Sequence, residues 1–306
     1  MPTPSEPQLR GEWAAKTNTP RRSVFGNYRA EGAPHSEPAC SETTPKPAGS
    51  KIGAPLQGAV DLAVARSFVH RFLAKAYEDP TPESWAWLCA PGTRQDVNAA
   101  SDVCGITTLP NAASGTSEYQ SFHDACIATF GHAARGGCPL NEIEYGDIKA
   151  DPLFQPHRLA DLAAFYRAFG LEVTEDAGER QDHICLELEF MCVLAAKEAY
   201  ALEHQLDADR LAQCRDAQKK FLREHLGRWT PAFTRRLAAA TIEPTLGALA
   251  EFTRAFIESE CVRFGVNAGS EDLLLRPVDE AAESLCGSCG LANLPPGAVA
   301  TEAIGG

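Results

Sequence analysis

The chain has 306 residues, of which 44 % are hydrophobic, and its 41 acidic and 28 basic side chains leave a formal net charge of −13. That length and apolar content sustain one sizeable buried core or two small ones. The negative balance argues against wrapping nucleic acid, which needs a cationic face, and it suits a partner carrying a short basic segment.

The eleven cysteines are an odd number, and Cys126, Cys185, Cys192, Cys214 and Cys261 sit inside apolar helical stretches. A secreted disulfide scaffold is shorter and keeps its cysteines in loops, so a reduced, cytoplasmic protein is expected. The sequence holds no run of 18 apolar residues, so no membrane insertion is expected.

Residues 1–55 are rich in Pro, Ser, Thr, Gly and charge, without hydrophobic period. Such a segment buries too little surface to offset its ordering entropy, and a disordered extension is expected. Within it, Thr19-Pro20-Arg21-Arg22-Ser23-Val24-Phe25 looks like a twin-arginine export motif. A working signal continues into an apolar stretch. Here Gly26-Asn27-Tyr28-Arg29-Ala30-Glu31-Gly32 follows instead, so the Arg pair reads as incidental.

Helical periodicity begins near residue 57. Val60, Val64, Phe68 and Phe72 recur every four residues, with Leu62, Val69, Leu73 and Tyr77 on an adjoining stripe. Asp79-Pro80 ends that helix, and Thr81-Pro82-Glu83 supplies a cap, a first-turn proline and an acid for the next, which carries Trp85 and Leu88. Residues 91–116 read as a long loop. Ser117-x-x-Gln120 has capping-box spacing ahead of Tyr119, Phe122, Cys126 and Phe130. The stretch Leu140–Ile148 reads as partly helical. Leu159, Leu162, Phe165, Tyr166 and Phe169 form another helix, closed by Gly170.

The segment 182–204 is the most apolar; Ile184, Leu186, Leu188, Phe190, Met191, Val193 and Leu194 leave almost no polar face. It is expected to run through the centre of the core. Leu211, Cys214, Phe221, Leu222 and His225 make the next helix, with Gly227 as its cap. Phe233 and Leu237 follow Thr230-Pro231, and Leu246 to Phe264 complete a last long helix. No hairpin pair or strand–helix alternation is visible, so the fold class is all-α: a compact helical bundle over residues 56–268, between a disordered N-terminal tail and a flexible C-terminal tail, 269–306.

The common catalytic signatures are absent: no G-x-x-x-x-G-K-[ST] loop, no H-E-x-x-H pair, no G-x-S-x-G elbow. Asp182-His183 stands where the charged stretch Glu175 to Gln181 meets the central helix. The aspartate fits an N-cap, and the histidine fits an exposed donor or a switch near neutral pH. Cys286-x-x-Cys289 has zinc or redox spacing. A tetrahedral zinc needs four ligands and a redox pair of this kind needs a βα unit, so an unused pair and a metal site both remain open.

The block Glu144-Tyr145 … Pro156-His157-Arg158-Leu159-Ala160-Asp161-Leu162-Ala163-Ala164-Phe165-Tyr166-Arg167-Ala168-Phe169-Gly170-Leu171 resembles the middle of the TorD/DmsD/NarJ chaperones. Glu179-Arg180-Gln181-Asp182-His183 leading into Leu188-Glu189-Phe190-Met191 resembles that family's Asp-His motif, with Gln181 where a proline is common. Phe221 … His225 … Trp229-x-Pro231-x-Phe233 and the earlier Phe72 … Tyr77 … Pro80 are similar to further landmarks. Leu153-Phe154-Gln155-Pro156 is only similar to the family's Leu-Phe-x-x-Pro element. The likeness spans roughly residues 57–265 and lies nearest the branch serving dimethyl sulfide, ethylbenzene, selenate and chlorate oxidoreductases.

The resemblance implies a non-enzymatic cytoplasmic chaperone without a cofactor of its own. Its partners would be a molybdopterin-containing oxidoreductase precursor and the twin-arginine signal peptide of that precursor. The client would be held until its cofactor is inserted and before export. Asp182 and His183 carry over as hinge and peptide-binding residues, with Glu144, Tyr145 and Phe154 expected to line the same groove. A small metal- or redox-active protein using Cys286 and Cys289 is the alternative. A nucleotide hydrolase is a third reading, without a phosphate loop to support it.

Overall fold

A computed structural model describes residues 54–106, 118–131, 137–146, 154–174 and 178–276. Among them the regular structure is helical: α1 (Ala54–Ala76), α2 (Pro82–Cys89), α3 (Pro91–Cys104), α4 (Tyr119–Phe130), a 3-10 turn (Glu142–Glu144), α5 (Phe154–Ala168), α6 (Ile184–Glu203), α7 (Ala208–Glu224), α8 (Leu226–Ala240) and α9 (Pro244–Phe264). The all-α class expected from the periodicity is what the chain adopts. Extended pairing among the described residues is limited to two isolated antiparallel bridges, Asn141 with His183 and Tyr145 with Leu275.

The central position of α6 follows from its composition. Ile184, Leu186, Leu188, Phe190, Met191 and Leu194 are all fully buried. Burying each such side chain contributes roughly 1.5–3 kcal/mol of transfer free energy. α6 packs most extensively against α1, whose Val69 and Leu73 are equally enclosed, while α7 and α8 also pack on α6. Phe190, Phe221, Phe165 and Tyr166 meet edge-to-face or tilted across the α5–α6–α7 junction. Rings approaching edge-on place their positive rims on a neighbour's negative face.

Local signals set several boundaries as expected. Thr81 caps α2 in a reciprocal capping box with Ser84, and Pro82 occupies the first turn. Gly170 follows α5 at φ 75°, and the Leu171 amide donates to the Tyr166 carbonyl at 3.0 Å. That left-handed residue is glycine because a Cβ is strained there.

Several expectations change. Residues 91–104 are not loop but α3. Its buried face is Thr93, Val97, Ala100, Ser101 and Cys104, small side chains at helical spacing that pack on α1. The absence of large apolar residues hid the period. Gly105 at φ 70° ends it; residues 107–116 lie outside the described residues. α4 opens on Glu118 with no side-chain cap, and Ser117, the expected cap, lies outside the described residues. Leu140–Ile148, expected to be partly helical, carries one 3-10 turn at Glu142–Glu144, residues 147 and 148 lying outside the described residues.

Gly227 does not cap α7. It lies in the first turn of α8, which continues through Pro231. A Cβ on Gly227 would stand 2.5 Å from the Leu222 carbonyl oxygen and 2.8 Å from Cys261 Sγ, so the α7–α8 corner and α9 approach too closely for any side chain. Pro231 has no N–H to offer the Gly227 carbonyl, and the Gly269 amide donates to that carbonyl instead, at 2.9 Å. Residues 269–276 therefore belong to the folded domain, beyond the boundary expected at 268. The Gly146 amide donates to the Leu274 carbonyl and the Arg276 amide to the Glu144 carbonyl, at 2.9 and 2.8 Å. The expected tails, 1–53 and 277–306, lie outside the described residues.

Candidate functional site

The Asp182-His183 segment is held against the 3-10 turn by backbone pairing. The Glu142 amide donates to the Asp182 carbonyl and the Ile184 amide to the Leu140 carbonyl, both at 2.9 Å. This seats four of the sequence-predicted residues, Glu144, Tyr145, Asp182 and His183, in one layer at the start of α6.

All four are inside the protein. Asp182 is fully buried, and both its oxygens are engaged: Arg180 donates to them from Nε and Nη2 at 2.9 and 3.0 Å, Asn141 Nδ2 at 3.2 Å and the Ile143 amide at 3.3 Å. It is not the cap of α6. His183 is, accepting at Nδ1 from the Cys185 amide at 3.3 Å. Burial first, and the Arg180 charge second, push His183 down to about 4. The ring is neutral at pH 7 and is neither exposed nor a switch near neutrality, because the charged form has no solvent to stabilise it.

Glu144 is buried and faces two cations, Arg276 Nη2 at 3.5 Å and Arg180 Nη2 at 3.7 Å. Tyr145 is fully enclosed, donates its hydroxyl to the Pro139 carbonyl at 2.8 Å and packs on Trp229 and Phe233. Phe154 begins α5, and its side chain lies outside the described residues, as do Cys286 and Cys289. Among the described residues no group of three or more His, Cys, Asp or Glu side chains is arranged to hold a metal ion.

The layer is completed by residues to which sequence reasoning gave no role. Glu142, fully buried, has His225 Nδ1 at 2.9 Å, Arg228 Nη2 at 3.0 Å and Arg158 Nη1 at 3.6 Å. Burial alone would raise its carboxyl; His225, then Arg228 and Arg158, outweigh that and hold it below the ordinary carboxylate range. His225 itself sits at the α7–α8 corner, and its Nε2 is 3.2 Å from Asp161 on α5. Glu187 accepts from Trp229 Nε1 at 3.1 Å, while its Oε1 has no partner among the described residues. Burial and then the Glu142 charge raise Glu187 well above the usual range, which favours the neutral acid.

Outward of this buried layer the surface is acidic. Glu179 lies 3.5 Å from His183 and is partly exposed, and its carboxyl is raised by partial burial and then by the charges of Asp79 and Glu78. Lys75 pairs with Glu78, so Asp79 and Glu179 are the acids left for a further cation, which would relieve the repulsion that raises Glu179. Apolar surface is close by. Trp85 stacks on Phe122, and Tyr119 donates its hydroxyl to the Pro80 carbonyl, with both Trp85 and Tyr119 only partly buried. The arrangement places a structural hub of fixed charges directly beneath an acidic rim.

Comparison with known proteins agrees with the sequence motifs. The family model described as nitrate reductase delta subunit matches residues 106–235. A selenate reductase assembly chaperone protein of Thauera selenatis is 36 % identical over 112 residues, 35 % of this chain and 56 % of that protein. A perchlorate reductase assembly chaperone protein of Dechloromonas aromatica (strain RCB) is 28 % identical over 209 residues, 65 % of this chain and 90 % of that protein. A chaperone protein TorD of Vibrio cholerae is 28 % identical over 119 residues, 39 % of this chain and 52 % of that protein. The chain thus spans about half the length of the selenate and TorD relatives. Over these stretches the chain is similar to the TorD/DmsD/NarJ chaperones.

Proposed function

We propose that this chain is a cytoplasmic maturation chaperone, not an enzyme, for a molybdopterin-containing oxidoreductase. It binds the twin-arginine signal and body of the precursor, holds it until the cofactor is inserted, and releases it before export. The names of the relatives support an assembly role. The observation that carries the signal-binding part is the acidic corner of Glu78, Asp79 and Glu179 beside partly buried aromatic surface. A twin-arginine signal is basic at one end and apolar beyond it, and that pairing of surfaces complements it.

In this reading the buried Asp182-His183 pair acts from beneath. Asp182 fixes Arg180, and with it the turn presenting Glu179; His183 caps α6; Glu144 and Tyr145 anchor the 3-10 turn on which the segment rests. No helix among the described residues is long and apolar enough to cross a membrane. Calorimetric titration with the signal peptide of a molybdopterin oxidoreductase precursor tests the proposal. Binding that is lost when both signal arginines become Gln is expected; equal binding of the two peptides refutes it.

A further inference from the structure

A second group of cations, placed where it can meet a ligand, lies away from this corner. A cleft of about 360 Å³ opens where α1, α6, α7 and the end of α9 converge. Glu198, on its wall, is 15 residues along α6 from His183, about 20 Å at the helical rise. Arg66, 2 % exposed, closes the floor and is neutralised there, its Nε and Nη2 donating to Glu260 and its Nη1 to Glu198 at 2.8 Å. The groups above it are different. Arg215 donates from Nε to Glu198 at 2.7 Å, and Arg263 from Nε to Glu260 at 3.2 Å. Each arginine is thus tethered by a buried carboxylate through one nitrogen, and the terminal nitrogens of both have no partner among the described residues. The ammonium of Lys219, also on the wall, has none either.

Tethering through Nε leaves the two-nitrogen edge of a guanidinium available, the geometry that grips a carboxylate in two parallel hydrogen bonds. It also removes much of the rotamer freedom that binding would otherwise cost. Beside these groups the wall is apolar, formed by Ala59, Leu62, Ala63 and Phe264. Glu198 and Asp216 share the lining, which disfavours a phosphate dianion and tolerates a singly charged carboxylate.

We propose that this cleft docks an acidic peptide segment of a partner protein. The carboxylate of an Asp or Glu meets Arg215, Arg263 and Lys219, and a neighbouring apolar side chain rests on Leu62 and Phe264. The choice of a polypeptide partner rests on the chaperone reading above. The molecule then carries two recognition sites of opposite sign at the two ends of α6, one for a basic signal and one for an acidic stretch of the same or another chain.

Fluorescence anisotropy on the full chain tests this with two labelled dodecapeptides, one repeating Glu-Leu-Ala and one repeating Gln-Leu-Ala. The Glu peptide is expected to bind about tenfold tighter than the Gln peptide. Lys219→Glu, and Arg215→Gln with Arg263→Gln, are expected to weaken it about tenfold; Lys220→Gln, on the same helix but off the cleft, should leave it unchanged. Glu198 and Glu260 keep Arg66 in the double variant, so its melting curve should stay close to the parent's, and Lys219→Glu touches no buried group. Equal binding by parent and both variants overturns the proposal. So does displacement of the Glu peptide by micromolar pyrophosphate, which would mark a phosphate site. Signal-peptide affinity should be unaffected by these variants, and its loss in them would overturn the separation of the two sites. A parent chain that binds the Glu peptide and no signal peptide would instead count against the proposed function alone.

Discussion

Replacing Glu142 by Gln keeps the volume of a fully buried side chain and removes its charge from beside the His225 ring and two arginines. His225 Nδ1 stands 2.9 Å away, Arg228 Nη2 3.0 Å and Arg158 Nη1 3.6 Å. The arginines are about four-fifths buried, with side-chain exposures of 20 % and 21 %, so water replaces the lost partner only in part. Removing one member of a buried charge cluster costs roughly 3–5 kcal/mol, and the partial exposure of both arginines places this case near 3 kcal/mol. For a domain of this size that is a fall in Tm of about 6–12 °C. The pH dependence follows from the direction of the shift. The folded-state carboxyl of Glu142 lies below its unfolded value, so its stabilisation is complete above the unfolded value and is lost as pH falls toward the folded one. Urea unfolding of parent and variant at pH 7 and pH 4 measures this: the gap should be full at pH 7 and narrower at pH 4. A Gln variant as stable as the parent at pH 7 would refute the hub, and a gap that widens on acidification would refute its sign.

Glu187→Gln should behave oppositely, because the folded carboxyl is raised. Its contribution is present below the unfolded value and lost as pH rises toward the folded one, so urea midpoints of the variant should gain on the parent between pH 5 and pH 8. Gly269→Ala sets a Cβ 1.8 Å from the Arg228 carbonyl oxygen; displacing the strand-like segment 269–276 should cost about 1–3 kcal/mol, read as a lower Tm by calorimetry. Cys286→Ser with Cys289→Ser should leave the far-ultraviolet circular dichroism of the helical domain unchanged, since the pair lies outside its apolar period; collapse of helicity would mean that a metal staples the fold.

The core was the most legible part of the sequence. α6 announces itself through uninterrupted large apolar residues, and α1 through its four-residue period. α3 was not legible, because a face built of Thr93, Ala100, Ser101 and Cys104 differs little in composition from a loop. It packs only because α1 comes close, a tertiary fact. The Asp182-His183 segment was located but its exposure was misjudged. Nothing local tells that Arg180 folds back onto Asp182 or that the turn at Glu142, forty residues earlier, closes over both. One signal was available. Glu142 and Glu144 alternate with Ile143 and Tyr145, and Glu187 interrupts an otherwise apolar helix. Charges at core positions mark a buried pairing network, although their partners His225, Arg228 and Trp229 could be assigned only from the fold.

The claim that the acidic corner receives the arginines of a signal peptide is tested most directly by Asp79→Asn with Glu179→Gln. These groups lie at the surface and hold no buried charge in place, so the fold should be unaffected. Isothermal titration with the signal peptide at low and high salt should show affinity weakened about tenfold at low salt and a flatter salt dependence than the parent's. Unchanged affinity and an unchanged salt slope in the double variant would contradict the account.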